Sequence, residues 1–269
     1  MTPKTQIKGL MRFSYLSTNG FAKSVPDVDA RRAVLYDPAR LERRFRFFES
    51  VALPTLARQD DRDFTCAVLI GSCFPDRWRA RLEDLVSNVA MIQIVTLPPM
   101  VHIQAVKAAY DALPQQDAVT HVATFRQDDD DGLHKTTVSR IRAIADNALQ
   151  MWQGRAPFVI AFNRGFYLDP TEDPPFSEWY ERAPIGIGLA LVAPKGDGAT
   201  VFRRNHRNLV EYYDCYSEVA QPMWIRSVHQ DNDSAAMPQG RPGTLKARGI
   251  ARTLKEGFGL TTDCLKDLA

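Results

Sequence analysis

The sequence predicts an α/β protein whose central sheet is mostly parallel and flanked by helices. Over the first two thirds of its 269 residues, short apolar runs alternate with charged segments whose apolar residues recur every three or four positions. Alternating strands and helices of this kind are typical of βαβ units, which build parallel sheets. A chain of this length suits one large domain, or one domain with an elaborated end.

The first half of the chain carries four predicted strands and three predicted helices. The strands are residues 11–16, 64–70, 91–95 and 119–126. One-sided apolar side chains mark the helices at Leu41, Phe45, Phe48 and Ala52, at Trp78, Leu82, Leu85 and Val86, and at Ile103, Val106, Tyr110 and Leu113. Pro54 is expected near the end of the first helix, because proline disrupts a helix interior.

The second half of the sequence is less regular. Thr136 or Thr137 could cap a helix that runs to residue 152. The other predicted elements are strands at 158–162, 185–192 and 224–228, a helix at 205–216 and an irregular Pro-rich segment at 169–184. The tail from Ser234 onward mixes Gly, Pro and basic residues and ends in a weakly helical stretch around Leu254. This half is therefore expected to elaborate the sheet of the first half.

Composition excludes several classes of protein. The chain has 34 Lys and Arg against 32 Asp and Glu, so neither nucleic acid nor an anionic membrane surface is expected as its main partner. Four scattered cysteines without a CxxC pair give no disulfide framework and no zinc ribbon. We expect a reduced, cytoplasmic protein without signal peptide or transmembrane segment, although peripheral membrane contact stays open.

Four adjacent carboxylates, residues 128–131, follow the fourth predicted strand directly. Parallel sheets bind ligands beyond the carboxyl ends of their strands, so this run lies where such a fold places its chemistry. Alternate residues of an extended chain point the same way, so Asp128 with Asp130, or Asp129 with Asp131, could share a cation. Oxygen ligands suit Mg²⁺ or Mn²⁺. A solvated loop is the alternative, and the position at a core strand favours the metal.

A second polar cluster, residues 229–234, follows the predicted strand 224–228. His229 could add a nitrogen ligand to the same metal, with Asp231 or Asp233 nearby, although such a histidine is more often a structural hydrogen-bonding group. Phosphate loops of the GxxxxGK[ST] and GxGxxG types and a GxSxG elbow are missing. Their absence argues against P-loop NTPases, simple Rossmann dehydrogenases and α/β-hydrolases, and a packing role is expected for Gly186 and Gly188.

Four segments between residues 11 and 234 are distinctive in their order and spacing. They are RFSYL, LPTLARQ followed by DF, RQDDDD and WIRSVHQDN. Together they resemble the rhamnosyltransferase family of bacterial GT-A-type glycosyltransferases, apart from Gln127, where that family places an apolar residue. The resemblance implies a GT-A-type nucleotide-diphospho-sugar transferase fold as one domain over residues 1–269. Its parts would be a nucleotide-binding half of about 8–135, an acceptor-binding half of about 136–235 and a C-terminal extension of about 236–269.

The same resemblance implies a reaction and a set of site residues. A sugar, rhamnose or another deoxyhexose by the family label, would pass from a nucleotide-diphosphate sugar to a glycan, lipid-linked or other hydroxyl acceptor in polysaccharide biosynthesis. A divalent metal, Mn²⁺ or Mg²⁺, would bridge the donor phosphates. The implied metal ligands are Asp130, Asp131 and His229, and the expected nucleotide contacts are Arg12, Ser14, Asp128, Asp129 and Arg126. Arg126, which lies beside the acidic run, could equally serve only to neutralise the four aspartates.

An inverting enzyme would also need a base for the acceptor hydroxyl, for which Asp231, Glu178 and Glu181 are candidates. A retaining enzyme would not need that base. A basic patch, FRRNHRN at residues 202–208, could contact an anionic acceptor, although a solvated helix start is favoured. Two other functions stay open: a sugar-phosphate nucleotidyltransferase, disfavoured by the missing glycine-rich basic loop, and a non-catalytic module with a structural Ca²⁺ site.

Overall fold

The computed structural model describes residues 4–19, 27–232, 237–262, 265 and 268 of the chain. Asp233, an expected neighbour of His229, lies outside these ranges. In chain order the elements are β1 (Thr5–Arg12), α1 (Val28–Leu35), α2 (Pro38–Phe47), α3 (Leu53–Ala57), β2 (Phe64–Gly71), α4 (Asp76–Val86), β3 (Ile92–Leu97), α5 (His102–Asp111), β4 (His121–Asp128), β5 (Gly132–Leu133), α6 (Thr137–Met151), β6 (Phe158–Phe162), β7 (Arg164–Leu168), β8 (Phe176–Tyr180), β9 (Ala190–Pro194), β10 (Asp214–Glu218), β11 (Trp224–Ser227), β12 (Arg241–Pro242) and α7 (Ala247–Thr253).

The central sheet has seven described strands in the order β10-β6-β9-β4-β1-β2-β3. All neighbours pair in parallel except β9, which runs antiparallel to both β4 and β6. The predicted α/β class and mostly parallel, helix-flanked sheet are confirmed, and the single reversed strand makes the sheet mixed. The strand order turns back between β1 and β4, and the register there sets Arg12 opposite Asp128. A crevice at such a turning point is where open α/β sheets bind ligands.

A second sheet, in the order β12-β8-β7-β11-β5, lies beside the first. Four of its strands, β5, β7, β8 and β12, were not predicted. The longer two are β7 and β8, and β8 lies within the segment expected to be irregular. Each has only five residues, and the FSEWY sequence of β8 carries a polar pair that fits a helix face equally well. Pairing with β7 decides its conformation, since the strand gains its hydrogen bonds there.

The first strand begins six residues earlier than the apolar pattern indicates and ends at Arg12. The prediction of residues 11–16 is therefore wrong in its bounds. Thr5, Gln6 and Lys8 are polar but buried, because their polar atoms find partners inside the protein. The Lys8 ammonium, for example, donates to the carbonyls of Tyr110 at 3.3 Å and Leu113 at 3.1 Å. A strand whose polar groups are satisfied in this way gives no apolar signal.

The first long helix continues through Pro54, which the sequence places near its end. Helix α2 leads into a π-helical turn, Phe48–Ala52, and α3 follows with Pro54 in its first turn. Proline lacks an N–H and crowds the carbonyl four residues earlier, and a widened turn accommodates both defects. The apolar face predicted from Leu41 to Ala52 is buried in the main core, so this prediction is confirmed.

Two further predictions change in the structure. Residues 205–216 are not a helix: a 3₁₀ turn, His206–Glu211, is followed by edge strand β10. The strand expected at 185–192 is shifted to Ala190–Pro194, which leaves Gly186 and Gly188 in the loop before it. The helix after Thr136 is confirmed as α6. No helix within the described ranges is long and apolar enough to cross a membrane.

The C-terminal segment packs against the second sheet. Leu254, Phe258 and Leu260 join a buried apolar cluster with Phe47 and Ile225. This packing covers the face of β11 opposite the main core.

Gly165 provides a test of the packing between the two sheets. A Cβ added at this position would lie 2.1 Å from the fully buried Trp224 indole, whose Nε1 donates to the Phe162 carbonyl at 2.9 Å. We expect Gly165→Ala to lower the free energy of unfolding by about 1–3 kcal/mol, as overpacking does. Urea denaturation measures the effect. Gly249→Ala in α7, where a Cβ meets only the flexible Leu245 side chain, should change stability far less, and equal losses would refute this account.

Candidate active site

A cavity of about 490 Å³ opens at the carboxyl ends of β1 and β4. Seven of the ten predicted site residues line it: Arg12, Ser14, Arg126, Asp128, Asp129, Asp130 and Asp131. Its other walls come from α1 and α2, from the loop before β9 and from residues 202–206. The acidic run and the end of the first strand therefore meet at one site, as the sheet topology requires.

The acidic run forms a tight turn at the end of β4. The Asp131 amide donates to the Asp128 carbonyl at 3.2 Å, and the buried Gln127 side chain donates to the Asp131 carbonyl at 2.7 Å. An apolar residue at position 127 could not make this second bond. Gln127, the departure from the family pattern, thus stabilises the turn that carries the carboxylates.

Arg44 of α2 neutralises the two central aspartates. Its guanidinium forms a bidentate pair with Asp129 and donates from Nη1 to Asp130 at 2.9 Å. All three side chains are at least nine-tenths buried. Burial alone would raise the pKa of Asp130, but Arg44 and His229 outweigh it and lower that pKa. Both carboxylates are therefore paired inside the protein with a cation that the sequence analysis did not identify.

Asp130 and His229 lie together, as the sequence predicts. His229 Nε2 is 2.8 Å from Asp130 Oδ2, which also accepts from Asn232 Nδ2 at 3.2 Å. His229 Nδ1 accepts the Asp231 amide at 3.2 Å, so Nε2 carries the proton of the neutral ring. The imidazole stacks on Phe47 at 4.4 Å between ring centroids. The ring is thus held as a donor to Asp130.

Asp131 is buried against β11. Its Oδ1 accepts the Ser227 amide at 3.0 Å. Burial, followed by the charges of Asp130 and Asp128, raises the pKa of Asp131 well above its ordinary value. The Asp131 side chain therefore anchors the turn to the second sheet.

This arrangement does not fit a divalent cation held by Asp130, Asp131 and His229. One Asp130 oxygen accepts three donors, including a guanidinium, the lone pair of His229 accepts a backbone N–H, and Asp131 Oδ1 accepts the Ser227 amide. Among the described residues there is no group of three or more His, Cys, Asp or Glu side chains arranged for a metal ion. The same donor set is equally unsuited to a structural Ca²⁺, which needs several free oxygens. The metal assignments stay predictions.

Two arginines flank the fourth aspartate, Asp128. Arg12 Nη2 lies 3.3 Å from Asp128 Oδ1, and Arg126 Nη2 lies 3.3 Å from Oδ2. Both guanidinium groups also lie over the Phe202 ring, and Arg12 contacts His102 Nε2 at 3.2 Å. Burial would raise the pKa of Asp128, but Arg126 and Arg12 hold it well below its ordinary value. Asp128 is the most exposed carboxylate of the run.

The candidate bases lie away from this wall. Asp231 is held by Arg43 at 2.7 and 3.1 Å, and despite burial this pairing lowers the pKa of Asp231. Glu178, in β8, pairs with Arg164 at 2.8 Å and accepts the Leu245 amide at 2.8 Å. Neither carboxylate is among the described residues that line the cavity. An ion-paired carboxylate is a weaker base, so the structure gives these two assignments no support, and they stay predictions.

One residue of the site, Arg44, was missed by the sequence analysis, and two others, Gly186 and His206 of the basic patch, were named there without being assigned to this site. Arg44 follows Leu41 by three residues and precedes Phe48 by four, so it lies on the apolar face of α2. A charged residue on such a face indicates a buried ion pair. Gly186 lies against Arg126: a Cβ there would be 2.8 Å from the guanidinium carbon. His206 lines the cavity and its Nε2 is buried without a described partner. No local pattern distinguishes the last two.

Residues 6–241 match the family described as "Putative rhamnosyl transferase". The chain belongs to this family. The resemblance stated from the RQDDDD and WIRSVHQDN segments is thereby confirmed. No curated protein matches the chain at a significant level.

Among solved structures, this rhamnosyl transferase family member is similar to TarS of S. aureus. Residues 1–349 of TarS in complex with UDP-GlcNAc give a TM-score of 0.49 at 10% identity, over 86% of this chain and 62% of that chain. The same part of TarS in another crystal structure gives a TM-score of 0.45 at 10% identity, over 82% of this chain and 60% of that chain. The chain thus spans less than two thirds of these TarS chains. The likeness is distant, and no residue role is carried across from it.

Arg44 provides a test of the buried charge cluster in this rhamnosyl transferase family member. Arg44→Met leaves Asp129 and Asp130 buried without their cation, so we expect a loss of about 3–5 kcal/mol in the free energy of unfolding. Arg44→Met combined with Asp129→Asn should lose less, because one of the two uncompensated charges is removed. Urea denaturation measures all variants. Arg46→Met, on the exposed side of α2, is the control, and equal stability of both single variants would contradict the assignment.

His102 predicts a pH dependence of stability. Burial, and then the charge of Arg12, lowers the pKa of His102 to about 4, against about 6.5 in the unfolded chain. Between these values the unfolded state binds more protons, so the His102 contribution to stability is lost as the pH falls from about 6.5 towards 4. We expect the melting-temperature difference between wild type and His102→Gln to shrink between pH 7 and pH 5.

The raised pKa of Asp131 has the opposite effect, because it increases the stability of the folded state as the pH falls. This effect is the same in wild type and His102→Gln, so it cancels in the difference between their melting temperatures. Gln104→Ala, at an exposed position of α5, is the matched control. A difference that stays constant with pH for His102→Gln would show that the imidazole is protonated equally in both states.

Proposed function

We propose that this protein transfers a sugar from a nucleotide-diphosphate sugar to a hydroxyl acceptor. The observation that carries the proposal is the cavity at the β1–β4 turning point, whose described lining includes seven arginines beside the partly exposed Asp128. Guanidinium groups bind phosphate oxygens, and a carboxylate accepts the hydroxyls of a ribose or the N–H groups of a base. Family membership supports the same reaction.

The chemistry requires groups of this kind. Breaking the bond between the sugar and the diphosphate builds positive charge on the sugar and negative charge on the leaving group. Fixed cations near the diphosphate stabilise the transition state more than the ground state, because the negative charge there grows as the bond breaks. Arg12 and Arg126 are set for this role by their contacts with Asp128, His102 and Phe202.

The finer parts of the proposal are expectations. The donor sugar is rhamnose or another deoxyhexose by the family description, and the acceptor is a glycan or a lipid-linked hydroxyl compound. The Mn²⁺ or Mg²⁺ dependence expected from the acidic run is a separate question, because the proposed reaction needs only a cation at the diphosphate. Asp128 is proposed to contact the nucleotide, whereas Asp129 has both oxygens engaged by Arg44.

A panel of nucleoside diphosphates tests the proposal directly. We expect one of them to raise the melting temperature, since a ligand at about 100 times its dissociation constant adds about 2.7 kcal/mol. The matching nucleotide sugar should then be turned over to the diphosphate, slowly without acceptor. Asp128→Asn should weaken nucleotide binding by about tenfold or more, through the loss of charged hydrogen bonds.

Asp214→Asn is the matched control, because Asp214 is exposed and pairs only with the exposed Arg155 in the described structure. The proposal would be abandoned if no nucleoside diphosphate stabilised the protein with or without Mn²⁺. Consumption of a nucleoside triphosphate with release of pyrophosphate would instead indicate a nucleotidyltransferase.

A further inference from the structure

The wall of the cavity carries more positive than negative charge. Its described lining includes seven arginines, two histidines and four aspartates. Two of those aspartates, Asp129 and Asp130, are already paired with Arg44, and Asp131 accepts a backbone amide from the second sheet. At the floor of the cavity, Arg12 and Arg126 share Asp128.

Arg126 is the best-formed anion-binding group in this wall. Its side chain is nine-tenths buried, and its only hydrogen bonds in the described structure are the 3.3 and 3.4 Å contacts to Asp128. Its buried Nε–H has no acceptor among the described residues. A buried guanidinium with unused donors is costly unless an anion completes its hydrogen bonds. Arg126 can therefore donate to a phosphate-like group in the cavity.

The guanidinium of Arg126 is also fixed in place. The Phe202 ring centroid lies 4.8 Å from its central carbon, and the Gly186 backbone is so close that a Cβ there would approach that carbon to 2.8 Å. Arg12 lies across the β1–β4 register from Asp128 and contacts the same ring. Two cations are thus preorganised at the turning point of the sheet, and preorganised charge needs little rearrangement during reaction.

We propose that Arg12 and Arg126 take the place of a divalent metal in this protein, binding the diphosphate of the donor and stabilising it as the leaving group. The inference rests on the proposed function and deepens it. In the balanced step the bond between sugar carbon and diphosphate oxygen breaks, its electron pair leaves with the diphosphate, and the acceptor oxygen forms the new bond while its proton passes to a base or to water. The two arginines remain protonated throughout.

The acidic run then has a structural role. Asp129 and Asp130 hold α2 against the end of β4 through Arg44, and Asp128 sets the spacing of the two arginines. A divalent cation entering this site would meet several guanidinium groups and would have to displace Arg44 from Asp130. Coulomb repulsion opposes that entry at these short separations.

The test measures nucleotide binding and donor turnover by wild-type protein in excess EDTA and, separately, with Mn²⁺. We expect the nucleoside diphosphate that stabilises the protein to do so equally in both solutions, with turnover rates within about twofold. Arg126→Met should weaken nucleotide binding in EDTA by about 10- to 100-fold, as expected for the loss of charged hydrogen bonds. Arg126→Lys should recover part of the loss, because it keeps the charge but not the bidentate geometry.

Arg155→Met is the matched control, because Arg155 is exposed and pairs with Asp214. Binding that requires Mn²⁺ and disappears in EDTA would overturn this inference and leave the proposed function intact. Unchanged binding by a folded Arg126→Met protein would also overturn it. Failure of every nucleotide in both solutions would instead refute the proposed function. If Arg126→Met does not fold, the comparison of EDTA with Mn²⁺ on the wild-type protein still decides the question.

Discussion

The site depends on one buried ion pair, that of Arg44 with Asp129 and Asp130. Four consecutive aspartates at the end of a core strand would otherwise repel one another and lose their hydration on burial. Arg44 reaches them from the apolar face of α2, so the packing of this helix on the sheet and the neutralisation of the acidic turn are the same event. Breaking such a pair leaves buried charges without a counter-charge, which is costly. The ion pair therefore fixes the geometry of the turn.

The satisfied pair determines what the cavity can bind. With Asp129 and Asp130 engaged and Asp131 turned to the second sheet, the open cavity presents Asp128 between two arginines. The electrostatic character of the cavity is therefore cationic, although the local sequence is the most acidic in the chain. An anionic group such as a diphosphate suits this cavity better than an additional cation does.

The sequence predicts those parts of the fold in which local pattern and tertiary packing agree. The strand at Phe64–Gly71 and the helices α4 and α6 have strong periodicity, and the structure confirms them. Strand β1 is different, because its buried polar groups are satisfied by partners distant in the chain. Strand β8 is also different, because its five residues carry little pattern and pairing with the preceding strand β7 decides their conformation. The sequence predicts that the acidic run lies at the carboxyl end of a sheet strand, but it does not predict which side chains pair with the aspartates.

The difference between a metal site and an arginine site illustrates why. The four carboxylates are adjacent in the sequence and are therefore visible as a motif, whereas Arg12, Arg44 and Arg126 come from three separate elements and resemble ordinary surface charges. Folding brings these three cations within hydrogen-bonding distance of the four carboxylates and offsets most of their negative charge. A carboxylate motif shows that a cation is required nearby, and the fold decides whether that cation is a metal ion or a guanidinium group. Here each aspartate of the motif already has a partner within the protein. The cavity is therefore better suited to bind the negatively charged diphosphate of the proposed sugar donor than a metal ion.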